Sequence, residues 1–141
     1  MDQATRPQSD SKLSIAPFSE DAFTASGRRE FLAFRDLNVS SSTGGKFGAV
    51  VIRAKKGMES PTGWHYHICD AQVIYMLKGW ATMEFENGET VTIHEGTCIS
   101  IPPGFLHNEL RTSDNMEAME FTSPAVMQTV PTDPPAAKAA G

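Results

Sequence analysis

The amino-acid sequence predicts an all-β fold, a sandwich or barrel of short strands with short or no helices. Three observations predict it. Segments rich in β-branched or alternating apolar residues recur along the chain, turn-forming Gly, Pro and Asn residues separate them, and the central part of the chain lacks convincing helical periodicity. Short strands between frequent turns are typical of sandwiches and barrels. A chain of 141 residues corresponds to one domain.

The two ends of the chain differ in composition from its centre. Residues 1–27 are mostly polar with isolated apolar residues, and three prolines fall within residues 129–141, where core-forming side chains are almost absent. Such segments bury too little apolar surface to offset the entropy lost on ordering. We therefore predict a flexible or partly ordered segment at 1–27, one barrel over 28–125 and a flexible tail at 126–141.

Nine strands are predicted in the central region. The alternation is clearest over 80–86, where Ala81, Met83 and Phe85 share one face. Asn87 and Gly88 then suit a type I′ hairpin turn, because both residue types tolerate a positive φ. In chain order the predicted strands are 30–37, 47–54, 64–67, 71–77, 80–86, 89–93, 97–101, 105–111 and 116–122.

Charge and hydropathy exclude several classes of function. The chain has 12 basic and 17 acidic residues and a net charge of −5, which argues against nucleic-acid binding and against a polybasic membrane surface. We find neither a membrane-spanning apolar run nor a signal peptide in the sequence. Two cysteines are too few for a disulfide framework, so the expected location is the cytoplasm.

The histidines carry the strongest chemical signal. His65 and His67 are two residues apart, so on a strand they share one face at a spacing of about 6.7 Å along it. Both imidazoles can then bind one ion with bonds of about 2.1 Å. Gln72 begins the next predicted strand, and His107 follows a rigid Pro-Pro-Gly corner that could aim its ring into the same cavity. His94 lies beside a turn and is expected to be solvated.

These residues resemble the two sequence motifs of the cupin family, in the form found in small single-domain cupins. The first motif comprises Gly63-Trp64-His65-Tyr66-His67, Gln72 and Gly79, and the second comprises Gly96, Pro102-Pro103-Gly104 and His107. The resemblance implies an antiparallel double-stranded β-helix, the jelly-roll barrel. It also implies one divalent metal ion near the centre of the barrel, held by His65, His67, Gln72 and His107.

The chain departs from the usual cupin pattern at two positions. Gln72 stands where the family usually has a Glu ligand, and Arg111 stands where an Asn is common. A neutral Gln would leave the charge of the ion at +2 rather than +1, which favours Lewis-acid polarisation of a carbonyl and makes oxygen activation less easy. The same set of three His and one Gln resembles that of cupins acting on unsaturated uronates. Alternatively, Gln72 only hydrogen-bonds nearby.

Two charged residues are candidate helpers in catalysis. On a regular strand, Glu109 and Arg111 would share the face of His107, so Glu109 could act as a general base and Arg111 could hold a substrate carboxylate. The alternative is a surface ion pair between them. An apolar pocket for a small ligand would be lined by Ile74, Met76, Met83, Phe85, Phe105 and Met119.

Three functions follow from this site. The first is an isomerase or lyase acting on a small oxygenated substrate (a sugar acid, hydroxy acid or diketone), the second is a metal-dependent dioxygenase, and the third is a non-catalytic small-molecule sensor. The remaining alternative is a structural remnant whose metal site is degenerate. The bound ion could be Zn, Ni, Fe, Mn or Cu, since three imidazoles and one oxygen suit each of them. The expected partners are a small-molecule ligand and a second copy of the chain, paired through the segment 28–54.

Overall fold

The computed structural model describes residues 5–25 and 29–136, and the parts of the predicted end segments at 1–4, 26–28 and 137–141 lie outside them. Residues Glu20–Ala22 form a turn of 3₁₀-helix, and Val39–Ser42 form the short helix α1. The strands are β1 (Leu32–Asp36), β2 (Gly48–Ala54), β3 (His65–Ile68), β4 (Ala71–Lys78), β5 (Trp80–Phe85), β6 (Thr90–His94), β7 (Cys98–Ser100), β8 (His107–Thr112), β9 (Glu117–Ser123) and β10 (Gln128–Pro131). The predicted all-β fold is confirmed.

The strands form two five-stranded antiparallel sheets. The first sheet has the order β1-β2-β9-β4-β7 and the second has the order β10-β3-β8-β5-β6. Inward-facing side chains of both sheets make the core, which includes Met76 and Ala118 of the first sheet and Met83, Phe85 and Ile93 of the second. This arrangement is the predicted jelly-roll barrel. Among the described residues, the structure has no helix with the length and apolar character needed to span a bilayer.

Strand β10 extends the barrel beyond residue 125, where we had placed its end. It pairs antiparallel with β3, and Thr129 lies opposite His67. The prolines around it had suggested a tail, but β10 is an edge strand, where proline is tolerated because one side of the strand makes no ladder hydrogen bonds. At the other end of the chain, Thr24 forms an isolated bridge with Phe34 of β1.

Candidate metal centre

Three histidines meet inside the barrel. His65 and His67 lie on β3, and His107 lies at the start of β8 directly opposite His65. The ring centroids are 4.4 to 5.1 Å apart, and one ligand nitrogen from each ring falls within 4.8 Å of the others. All three side chains are buried. The cluster therefore has the size and donor type of a site that can hold one metal ion.

Contacts at Nδ1 orient the three histidine rings. The Nδ1–H of His65 donates to the carbonyl of Gly63 at 2.7 Å, and that of His107 donates to the carbonyl of Phe105 at 2.9 Å. A carbonyl oxygen only accepts, so both rings carry a proton on Nδ1, and Nε2 is the nitrogen left to bind a metal ion. In β10, the hydroxyl oxygen of Thr129 lies 3.0 Å from Nδ1 of His67. Outward Nδ1 bonds of this kind are the usual support of metal-binding histidines.

The loop before β3 is itself held in place. The side-chain oxygen of Asn108 accepts from the backbone N–H of Gly63 at 2.9 Å, while its amide nitrogen donates to Glu84 at 2.9 Å. The carbonyl that orients His65 therefore belongs to a residue anchored to β8 and β5. The sequence motif contained Gly63, but it gave no indication of the Asn108 support.

The environment of His107 gives the clearest indication of a metal site. It is only 1% exposed, and its buried Nε2 has no hydrogen-bond partner among the described residues. Burial lowers the pKa of His107, the bond to the Phe105 carbonyl opposes this and the nearby His65 adds to it, and the result is a pKa of about 4. The ring is therefore neutral at pH 7, with its lone pair available. A buried polar atom without a partner is costly, and a metal ion bound by the three rings would supply that partner.

Gln72 lies at the same site on the inward face of β4. It is 4% exposed, and its side-chain nitrogen donates to a carboxylate oxygen of Glu120 at 3.1 Å. This bond assigns the two ends of the amide and leaves the carbonyl oxygen as the atom able to act as a metal ligand. Glu120 was not among the predicted site residues, although it lies between Ala118 and Thr122 on the inward face of β9. Strand alternation could have identified it.

A cleft with an empty volume of about 460 Å³ opens beside the histidines. Two of the three histidines, Gln72 and two carboxylates face it, together with one arginine and several apolar side chains. Its lining residues are Arg29, Leu32, Phe34, Ile52, His65, His67, Gln72, Glu109, Glu120 and Met127. The cleft thus combines possible metal ligands, a cationic group and carboxylates able to accept protons.

The structure separates the two predicted helper residues. Met83 pairs with Glu109 but Thr82 pairs with Arg111, so Leu110 is the extra residue of a β-bulge. The bulge breaks the alternation after Glu109, which stays on the inward face, while Arg111 is exposed on the outward face. Our placement of Arg111 in the site is therefore wrong, because it assumed a regular strand. Arg29 is the arginine that lines the cleft.

Of the six residues predicted to line an apolar pocket, Ile74, Met76 and Met83 line an apolar space between the sheets. Met76, Met83 and Phe85 belong to the core cluster, and Ile74 and Phe105 pack against it. Met119 instead pairs with Tyr75 and Val51 and has the opposite alternation to the inward-facing Ala118. It therefore lies on the outer face of the first sheet.

Removing the support of His67 is expected to weaken metal binding. In Thr129→Val the hydroxyl that faces Nδ1 is lost while the shape is kept, and the affinity for the ion should fall about tenfold. Titration with Zn²⁺ measures the change. Thr132→Val is the matched control, because the buried hydroxyl of Thr132 has no hydrogen-bond partner among the described residues. Equal metal affinities of the two variants would contradict the assigned role of Thr129.

Comparisons with known proteins agree with this architecture. The family model described as "Cupin domain" matches residues 50–122, whereas the comparison with curated proteins finds no match. KdgF from Halomonas sp. is similar at a TM-score of 0.63 and 17% identity, over 79% of this chain and 94% of that chain. Streptomyces PAC13, solved with uridine, is similar at a TM-score of 0.58 and 11% identity, over 85% of this chain and 94% of that chain.

A larger protein is also similar in structure. Salicylate 1,2-dioxygenase from Pseudoaminobacter salicylatoxidans, solved with gentisate, gives a TM-score of 0.57 and 16% identity. The match covers 72% of this chain but only 29% of the dioxygenase chain. At these identities the likeness of all three structures concerns the fold.

Proposed function

Because the chain belongs to the cupin domain family, we propose that it binds one divalent metal ion and is an enzyme acting on a small oxygenated substrate. His65, His67 and His107 would hold the ion with Gln72 as the fourth ligand. The observation that carries the proposal is the buried Nε2 of His107, which has no hydrogen-bond partner in the described part of the chain and lies within a cluster of three histidines. Three nitrogens and one oxygen suit Zn, Ni, Fe, Mn or Cu.

The bound ion would supply Lewis-acid polarisation of a carbonyl or enediol oxygen. The surrounding residues then have separate tasks. Glu109 faces the cleft and would accept or donate the proton that isomerase or lyase chemistry moves. Arg29 would bind a substrate carboxylate through its guanidinium group, the task that the sequence had assigned to Arg111. Glu120 holds the amide of Gln72 and so would orient its carbonyl oxygen.

The test has two steps. Elemental analysis of protein purified without added metal should find about one divalent ion per chain. A thermal-shift screen of sugar acids, hydroxy acids and diketones should then find ligands that raise the melting temperature of the metal-loaded protein, because a ligand bound only to the folded state stabilises it. Turnover of a ligand found in this way would establish the enzyme. An empty site after incubation with each of the five metals would refute the proposal.

A metal-dependent dioxygenase is the second candidate. A neutral Gln ligand alone would disfavour oxygen activation, but the carboxylate of Glu120 lies within hydrogen-bond distance of Gln72 and returns negative charge to the site. This contact weakens the charge argument for isomerase or lyase chemistry. Oxygen consumption by the Fe²⁺-loaded protein distinguishes the two reactions. Ligand binding without turnover under either condition would instead indicate a sensor.

We also propose that the chain forms a homodimer. Leu13 is 91% exposed and Ile15 is 77% exposed on the N-terminal segment, and Phe18 is exposed beside them. This segment is tied to the barrel, since Lys12 donates its N–H to the carbonyl of Ser42 at 2.8 Å. Exposed large apolar groups are costly in a monomer. The outer edge of β1 is already bridged at Phe34 by Thr24, so the exposed apolar segment is what supports the dimer.

The dimer predicts a defined response to substitution. Light scattering should give twice the chain mass at micromolar concentration, and Leu13→Ser with Ile15→Ser should shift the protein towards the monomer. Val126→Ser, another exposed apolar position, is the matched control. A monomeric wild-type protein would rule out the dimer.

The cellular context is likewise a proposal. A cytoplasmic location is supported by the two free cysteines, Cys69 and Cys98. The net charge of −5 supports a small-molecule ligand over nucleic acid or an anionic membrane surface.

A further inference from the structure

A second cavity, here called the apolar chamber, lies between the two sheets. Its empty volume, which includes the part that opens to solvent, is about 520 Å³, and its lining comprises Glu109, Thr112 and otherwise apolar described residues. Four of the seven methionines of the chain face it, at positions 58, 76, 83 and 116. Protein interiors hold few voids larger than a water molecule, so an apolar space between the two sheets of a small barrel needs an explanation.

The apolar chamber adjoins the metal-side cleft. Leu32, Ile52 and Glu109 line both spaces, so these three side chains form the boundary between them. On the cleft side of the boundary lie His65, His67, Gln72 and Arg29. On the other side are buried methionines and aliphatic side chains. The two spaces together offer a polar half and an apolar half to one elongated ligand.

The chemistry of the two halves narrows the ligand class. An apolar cavity stays dry and binds apolar groups, and methionine side chains adapt to the shape of what they contact. Hydroxyl groups placed there would lose their hydrogen bonds to water without replacement. A polyhydroxylated sugar acid therefore suits the cleft but not the chamber, whereas a short aliphatic chain suits the chamber.

We propose that the site takes a small carboxylic acid with an oxygenated head and an aliphatic tail, the head in the cleft and the tail in the apolar chamber. This inference rests on the proposed function, because the head is placed by the metal ion and Arg29. It selects aliphatic oxo or hydroxy acids from the broader class of small oxygenated substrates.

Calorimetry with a homologous series tests the inference. Unbranched 2-oxo acids from three to eight carbons are titrated into protein loaded with one equivalent of Zn²⁺. Affinity should rise about fourfold per added methylene until the chamber is filled. If pyruvate binds but longer acids bind no more tightly, the inference is wrong while the proposed function stands.

The apolar chamber has its own readout, which does not use the metal. Straight-chain alcohols from ethanol to hexanol are added to metal-free protein labelled with ¹³C at the methionine methyl groups. Shifts that grow with chain length are expected at Met58, Met76, Met83 and Met116, but not at Met119 on the outer face. Absence of such shifts overturns the inference. If the alcohols shift these methyls but no acid binds, the proposed function fails instead, and the ligand assignment fails with it.

A variant that fills the chamber provides the second control. Ala118→Leu adds a larger side chain to the chamber lining and should abolish the dependence on chain length while pyruvate binding persists. Ala81→Val is the milder alternative if the first variant does not fold, and Val126→Leu on the surface should leave the dependence unchanged. An unchanged dependence in folded Ala118→Leu would place the tail outside the chamber and contradict the inference.

Discussion

His107→Ala is expected to lower the affinity of the protein for its divalent ion by more than about 100-fold. This loss is larger than that expected when a residue that only supports a metal ligand is removed. The substitution deletes one of three nitrogens that lie within 4.8 Å of one another, and two imidazoles cannot close the site. Any turnover should be lost together with the ion. Metal content after gel filtration and Zn²⁺ titration measure the effect.

The design includes a control for folding and for nonspecific binding. His107 is part of the interior, so its truncation also removes packing against Phe85 and the bond to Phe105. A thermal melt of the metal-free variant separates this loss from the loss of metal. His94→Ala is the matched control, because His94 is exposed on β6 and belongs to no ligand cluster among the described residues. An ion retained in His107→Ala but lost in His94→Ala would contradict the assigned site.

The strands were predictable where one face is buried and the other solvated. Alternation of Ala81, Met83 and Phe85 with polar residues follows directly from the pleat, and the Asn-Gly turn fixes where the hairpin reverses. Strand β10 was not predictable in this way. Its four residues lie at a sheet edge among prolines, and its pairing with β3 depends on a partner some 60 residues away in the chain.

The site was predictable only in part for a similar reason. The spacing of His65 and His67 identifies a shared face locally, but the position of Glu109 relative to Arg111 depends on a bulge that no local pattern indicates. Arg29 precedes β1 and reaches the cleft through tertiary packing. The inward orientation of Glu120 could have been predicted from the alternation in β9. Its role at the site, however, depends on its contact with Gln72.

The contact between Gln72 and Glu120 predicts a second large effect, on the stability of the metal-free protein. Gln72→Glu is expected to destabilise the metal-free protein at pH 7 by about 3 kcal/mol, the scale of an uncompensated buried charge. The new carboxylate would stand where the amide nitrogen of Gln72 now donates to Glu120 at 3.1 Å. Two carboxylates at this distance cannot both ionise without strong repulsion, so one must hold a proton or the pair must separate. Urea unfolding with and without metal measures the cost.

Exchanging the two residues separates charge from position. The double variant Gln72→Glu with Glu120→Gln restores one amide and one carboxylate, so its metal-free stability should return to within about 1 kcal/mol of wild type, a coupling that a double-mutant cycle isolates. A divalent ion should also reduce the penalty of the single variant, because its charge offsets the second carboxylate. If Gln72→Glu unfolds like wild type without metal, the two side chains do not share one buried environment, and the argument that Glu120 returns charge to the centre fails.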